Sequence, residues 1–410
     1  MIASPVGPSF HAMWKELAPI GRDTRTGGYR RHAWTGADAD CRTWFQEQAE
    51  TRGLAYETDR NGNQWAWLGD PTAGNAVVTG SHLDSVPDGG AFDGPLGVVS
   101  AFAALDELRL RGAAFHRPVG IVSFGDEEGA RFGLACVGSR LTAGVLTREA
   151  AYRLHDADGV TLPEAMENAG YDPEAIGPDP VRLSRIGAFV ELHIEQGRAL
   201  DLSGDRIGLA SAIWPHGRWR FDFAGEANHA GTTRIADRRD PMLGFAATVL
   251  AARRAAEDTG AVATFGRVAV EPNGVNAIPS LVRGWLDARA ADPQVLDEVV
   301  AAVESAARER AAHDRVDVTL VRESFTPVVE FAHVLRDELA GLLGGSVPVL
   351  GTGAGHDAGI LSGSVPTAML FVRNPTGVSH SPAESASEDD CTAGVLALAD
   401  VLEGLACGSR

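Results

Sequence analysis

Four short segments of this chain concentrate imidazoles and carboxylates just past apolar runs. Residues 80–97 read GSHLDSVPDGGAFDGPLG and place His82, Asp84 and Asp93 in one Gly- and Pro-rich turn. DEEG follows at residues 126–129, ELHIEQG at 191–197 and SHSPAE at 379–384. A histidine at a strand end can give one ring nitrogen to a metal while a carboxylate two residues on orients its surroundings, which suits His82 and Asp84. The glycines around Asp93 let backbone approach a site closely, and Asp93-Gly94-Pro95 forces a tight turn. Three adjacent acids repel one another unless solvated or held by cations. Directly after an apolar strand, the Asp126-Glu127-Glu128 run suits one glutamate as a ligand and its neighbour as a general base. His193 shares a strand face with Glu191 and Glu195, opposite Val190, Leu192 and Ile194. His380 sits in a Ser/Pro-rich loop after a strand. Singly, each reads as an ordinary surface pair, solvated loop or strand histidine. With Asp93 as a bridge, His82, Asp93, Glu128, His193 and His380 make two nitrogen/oxygen coordination spheres. Such spheres, without a cysteine, suit zinc or manganese rather than a thiolate-type structural zinc. Two cations about 3.5–4 Å apart activate water and polarise a carbonyl, so this is the inventory of a hydrolytic site.

The elements that must position these residues are legible from periodicity. Residues 76–79 and 119–124 predict short buried strands, with a helix over 96–111 between them that Gly112 can end. A helix over 40–52 precedes strands at 54–58 and 64–68, joined through an Asn61-Gly62 turn. This order predicts an α/β fold with a mixed, largely parallel central sheet and flanking helices, in which chemistry gathers at the carboxyl ends of strands. From about residue 211 to 326 the order becomes βαββαβ, with strands at 218–223, 263–270, 281–288 and 316–321 and helices at 241–256 and 293–313. That predicts an inserted α+β domain. The expected division is a catalytic domain over 1–210 and 328–410 around an insert at 211–327, with hinges at Trp214-Pro215 and Thr326-Pro327. A strand at 365–372 and a helix at 389–405 complete the catalytic domain.

Bulk properties exclude several classes. The chain has 410 residues, above the size at which single cores divide, about 250–300. Its net charge of −19 leaves no basic excess to displace counterions from phosphates, which argues against nucleic acid and anionic membrane surfaces. No apolar stretch approaches the ~18 residues of a membrane span, and no basic-then-apolar leader opens the chain. Cys41, Cys136, Cys391 and Cys407 are scattered without a CxxC pair, as expected for reduced thiols in a cytoplasmic protein.

Together with EANHAGTTRIADRRDP, PNGVNAIPS, WLDAR and GAGHDA, these motifs resemble the co-catalytic metallohydrolases that include aminoacylases and dimetal carboxypeptidases. More narrowly they resemble the ureido-hydrolysing branch of allantoate amidohydrolase, N-carbamoyl-L-amino-acid hydrolase and β-ureidopropionase. The resemblance runs from about residue 21 to about residue 398. It implies two divalent ions, manganese or zinc with cobalt or nickel as alternatives. One would be held by His82, Asp93 and His193, the other by Asp93, Glu128 and His380. It implies Glu127 as general base, Asp84 as the partner behind His82, and His229 as stabiliser of the oxyanion. Asn276 would hydrogen-bond the substrate, Arg289 would clamp its carboxylate, and Gln196 and His356 would line the pocket. The resemblance also implies a homodimer formed through the inserted domain, which doubles as a lid. His229 and Asn276 would then act in their own or the partner subunit. His193 is itself a branch feature, since peptidase relatives usually carry a carboxylate there. One departure is Arg234-Ile235, where many relatives have Pro-Met. The expected substrate is a small ureido compound with a carboxylate: allantoate first, N-carbamoyl-L-amino acids or β-ureidopropionate second, peptides or acylated amino acids third.

Overall fold

The computed structural model describes residues 6–408. Two compact units are present, one running to Ser211 and resuming at Glu330, the other spanning Ala212–Val329. In the first unit, nine of the described strands form one mixed sheet. Its centre is four parallel strands in the spatial order Val119–Phe124, Ala76–His82, Ile186–Ile194, Thr367–Val372. Antiparallel strands flank them, Gln64–Leu68 and then Ala55–Thr58 on one side and Ile207–Ile213 on the other. The central strands read as nearly continuous apolar runs because both faces are covered, and three of the four are buried at every residue.

Helices Pro95–Leu110 and Glu388–Ala406 pack together against this sheet. Phe102, Leu105, Val395 and Leu402 join Val190, Leu192, Ile194 and Leu370 in one core. Each helix start has a local cause. Pro95 presets the first-turn backbone after Gly94. Ser387 accepts the Asp390 N–H, with three acids in the first turn complementing the helix dipole.

The second unit is a four-stranded antiparallel sheet in the order Asp317–Thr326, His216–Ala224, Leu281–Arg289, Val262–Glu271. Helices Pro241–Thr259 and Pro293–Asp314 each open on an Asp-Pro pair, in which the aspartate accepts a first-turn N–H. Phe221, Phe223, Val282 and Leu286 from the strands meet Phe245, Leu296 and Val303 from the helices. The expected βαββαβ order is present, with an added two-stranded ribbon, Asn228–His229 against Ala277–Ile278.

Two differences from the sequence pattern bear on the site. The helix expected from residue 40 begins at Gly36, and the strand expected to end at 79 runs on to His82. The extension survives a glycine because Gly80, at φ +145°, lies against the neighbouring strand. A Cβ there would sit 1.9 Å from the Val122 carbonyl oxygen. His82 therefore ends a hydrogen-bonded ladder, paired with Phe124, and does not hang in a loop. Gly80→Ala is expected to destabilise the fold by more than about 4 kcal/mol through forced backbone separation. Loss of soluble protein or a steep drop in the urea midpoint checks this; a parental midpoint contradicts it.

Candidate metal centre

All five candidate ligands belong to the four central strands or to the segments that follow them. His82 ends its strand and Asp93 lies in the next loop; Glu128 follows Val119–Phe124; His193 is within Ile186–Ile194; His380 follows Thr367–Val372. Parallel order sets these carboxyl ends side by side. Asp93 is the joint between them. Its Oδ1 lies 3.2 Å from His193 Nε2 and 3.6 Å from His82 Nε2. Its Oδ2 lies 3.4 Å from His380 Nε2, which is 3.6 Å from Glu128 Oε2. Two trios result, His82–Asp93–His193 and Asp93–Glu128–His380, and within each the ligand atoms all lie within 4.8 Å of one another.

The far ring nitrogens are fixed. His193 Nδ1 lies 2.9 Å from the Ile194 carbonyl and His82 Nδ1 lies 3.1 Å from the Asp84 carbonyl. A nitrogen facing a carbonyl donates, so in each neutral ring the Nε2 lone pair is left for the Asp93 side. The Asp84 carboxylate is occupied elsewhere. It accepts the backbone N–H of Glu127 at 3.1 Å and of Glu128 at 3.0 Å. Asp84 thus orients His82 through its carbonyl and the two glutamates through its side chain, a wider role than the expected partnership with His82 alone. Glu127 Oε2 lies 3.7 Å from His82 Nε2, while its Oε1 accepts the Cys136 thiol at 3.3 Å.

Burial and neighbouring charges set the protonation of this cluster. Burial pushes the Glu127 carboxyl well above its ordinary range, and Asp357, Glu128 and Asp84 add to the shift against His82. Burial and the Asp93 charge push Glu128 up to about 8. Burial disfavours a charged His82, yet Glu127, Asp84 and Asp93 together hold it well above the usual histidine value. Burial would also raise Asp93, but His193 and His82 outweigh it and hold the carboxyl well below its usual value. The Nε2 atoms of His82 and His193 are buried with no hydrogen-bond partner. Orphaned imidazole nitrogens beside carboxyls that retain protons form a donor set that fits divalent cations, which take up the lone pairs and displace the protons.

Gln196 and His356 stand beside the same cluster. Gln196 Nε2 donates to Asp93 Oδ2 at 2.7 Å and to Ser379 Oγ at 3.1 Å. The buried His356 ring lies 4.4 Å from that of His193, and burial followed by the His193 charge holds its pKa well below the usual value. In the second unit, Ala230 donates to the Asn276 carbonyl at 2.9 Å, which sets His229 and Asn276 on one ribbon. His229 Nδ1 accepts the N–H of Gly231 at 3.0 Å and of Thr232 at 3.2 Å. Its Nε2 therefore carries the proton and is a donor. Arg289 pairs with Asp287 through Nε at 2.7 Å and Nη2 at 3.2 Å, a fork already matched to a carboxylate. Arg234, at the departure from the familiar motif, bonds Asp237 across a short 3-10 turn.

Several site groups have partners that the sequence pattern does not indicate. Glu191 accepts the Ser81 hydroxyl at 2.7 Å and the Ala358 N–H at 3.0 Å. Glu384 accepts the N–H of Phe92 and Asp93, and Cys136 reaches Glu127. The first two lie inside the ELHIEQG and SHSPAE segments, but only the folded chain reveals what they touch.

Residues 78–404 match the peptidase family M20/M25/M40. The chain belongs to this family. One M20 relative, the N-carbamoyl-L-amino acid amidohydrolase of Geobacillus stearothermophilus, is 36% identical over 407 residues, covering 97% of this chain and 98% of its own. The allantoate amidohydrolase of Escherichia coli K12 is 34% identical over 399 residues, covering 95% and 96%. Among solved structures, a hydantoinase/carbamoylase family amidase from Burkholderia multivorans matches with a TM-score of 0.87 at 32% identity, covering 98% of both chains. The resemblance carried by the motifs holds at family level, and this M20 chain is an amidohydrolase. Its two trios suit the dimetal sites that M20 hydrolases use. No helix among the described residues is long and apolar enough to cross a membrane.

The same charges make the cation-free protein sensitive to pH. Glu128, raised to about 8, and Glu384, raised to about 7 by burial and Asp93, hold protons in the folded state that an unfolded glutamate releases near 4.5. Their stability contribution is complete below that value and is lost as pH rises through the folded values. The raised His82 and His193 act in the same direction, while the depressed Asp93 contributes throughout this range. The chelated protein is expected to melt a few degrees lower at about pH 8.5 than at about pH 7. Added manganese or zinc is expected to raise the melting temperature more at the higher pH. Equal rises at both would contradict this account.

Proposed function

We propose that this chain hydrolyses the ureido C–N bond of a small carboxylate-bearing substrate, with allantoate first, releasing ammonia and carbon dioxide in purine breakdown. The observation that supports it most is the Asp93 joint: one carboxylate with an oxygen in each trio, and Glu127 beside His82 of the first. Manganese or zinc ions, held by His82, Asp93 and His193 and by Asp93, Glu128 and His380, would supply an acidified water and a polarised carbonyl.

The protein's own residues supply the rest. Glu127 takes the proton of the water that adds to the ureido carbonyl and carries it to the leaving nitrogen, and the carbamate so formed breaks down to ammonia and carbon dioxide. The Cys136 thiol occupies Oε1, so Oε2 faces His82 and the reacting side. Addition puts negative charge on the carbonyl oxygen, and His229, a donor through Nε2, stabilises it. Asn276, on the same ribbon, hydrogen-bonds the ureido group. Arg289 takes the substrate carboxylate in the fork that now holds Asp287. Gln196 and His356 line the pocket, and Asp84 keeps the two glutamates in register. In this reading the second unit is the lid and the surface of a homodimer, with His229 and Asn276 serving their own or the partner subunit. A reducing cytoplasm is in keeping with four unpaired thiols.

A second reading, N-carbamoyl-L-amino acids, is favoured by the 36% identity of the Geobacillus relative against 34% for the Escherichia enzyme. Both substrates carry a carboxylate, so Arg289 does not separate them. Ammonia release from allantoate against a panel of N-carbamoyl amino acids tests the choice, with allantoate expected to have the highest kcat/KM. A carbamoyl amino acid ahead by orders of magnitude would overturn it. Glu127→Gln is expected to lower kcat by about 10²–10⁴ while elemental analysis still finds about two metals per subunit. Unchanged turnover would remove Glu127 from its role.

A further inference from the structure

The strands that lead to Asp93 and to His380, Ala76–His82 and Thr367–Val372, are not neighbours, because Ile186–Ile194 lies between them. Among the described residues no backbone ladder ties their loops together. Side chains do so instead: Ser379 and Gln196 reach the Asp93 carboxylate, and Glu384 reaches its backbone. The Glu384 side chain is buried, 6% exposed, and Oε2 accepts the N–H of Phe92 at 2.8 Å and of Asp93 at 3.0 Å. Oε1 lies 3.3 Å from the Ser379 hydroxyl, which also reaches Asp93 Oδ2 at 3.0 Å. The Glu384 N–H donates to the Ser381 carbonyl at 3.0 Å, closing a turn beside His380. One residue thus grips the bridging carboxylate's backbone from within the loop that presents His380.

Gly90 carries an independent trace of the same fit. A Cβ at Gly90 would lie 2.2 Å from Glu384 Oε2 and 2.5 Å from Glu384 Cβ, and the three nearest atoms all belong to Glu384. Its backbone lies outside the left-handed region, so space for Glu384, not conformation, is what requires a glycine. Amides removed from water need an acceptor, and any side-chain carbonyl oxygen placed where Oε2 lies can supply it.

We propose that Glu384 is a positioning residue that holds the Asp93 loop against the His380 loop, so that one carboxylate serves both cation sites. The proposal rests on the two-cation reading of the centre and adds a residue to it. Where Glu384 is present, the spacing of the two trios is set before any cation binds. Where it is absent, the half-buried Phe92 amide and the buried Asp93 amide lose their acceptor, and the Asp93 backbone is no longer held to the His380 loop.

The test uses the full chain, stripped of metal and titrated with manganese or zinc against a chelator, with stoichiometry by elemental analysis. In Glu384→Ala and in Gly90→Ala, the second equivalent is expected to bind about 10- to 100-fold more weakly than in the parent. Glu384→Gln, which keeps an oxygen for both amides, is expected to stay near the parent. The double variant is expected to be no worse than either single one, because the added methyl fills vacated space. Two equivalents bound with parental affinity in both Glu384→Ala and Gly90→Ala overturn the proposal, as does a Glu384→Gln variant as weak as the alanine. If Glu384→Ala does not fold, Gly90→Ala, which keeps the carboxylate, decides alone. A parent that binds no cation overturns the two-cation reading and the proposal with it, whereas a parent that binds two but spares allantoate leaves the clip standing.

Discussion

The Asp93 carboxylate meets two imidazole nitrogens with one oxygen and a third imidazole, an amide and a hydroxyl with the other. Burying an ionised carboxylate is costly unless it is paired on every side. Here the pairing uses both oxygens and draws on three different strand ends. The arrangement leaves Nε2 of His82 and of His193 without hydrogen bonds and leaves Glu127 and Glu128 holding protons above their ordinary range. A protein that keeps such groups buried has a use for positive charge at that place, and divalent cations satisfy all of them together.

The sheet makes this economical in sequence. Four parallel strands deliver their carboxyl ends to one edge, so a loop or a strand residue from each is enough to assemble the cluster. His82 is fixed by the ladder to Phe124 and by the Asp84 carbonyl, and the Asp84 carboxylate fixes the turn bearing Glu127 and Glu128. Asp84 therefore orients the imidazole through its carbonyl and the backbone of both glutamates through its carboxylate. The second unit is built by the same economy, with Asp-Pro pairs opening both helices and a short ribbon holding His229 in the tautomer that donates from Nε2.

Much of this was legible in the chain itself. Candidate ligands could be picked out because metal chemistry demands particular side chains and because apolar runs mark the strands that precede them, and the fold brings those residues together. Asp240-Pro241 and Asp292-Pro293 fix helix starts by local rules, and the helices begin there. What stayed hidden depends on tertiary neighbours. Ile207–Ile213, written IGLASAI, is too rich in Gly, Ala and Ser to announce a strand, and it becomes one by pairing with Thr367–Val372, Val349–Thr352 and Val329–Glu330. Glu384 looks like one more loop acid until the intervening strand places it against Phe92 and Asp93. Asp84 can be paired with His82 from spacing alone, but its carboxylate turns out to serve backbone amides more than 40 residues away.

The central claim is that a single carboxylate joins two cations in this M20 chain. Anomalous diffraction from crystals of the full chain equilibrated with manganese measures it directly. The account predicts two peaks about 3.5–4 Å apart, one on either side of Asp93, with His82 and His193 at one and Glu128 and His380 at the other. A single peak, or two peaks that do not share Asp93, would contradict it.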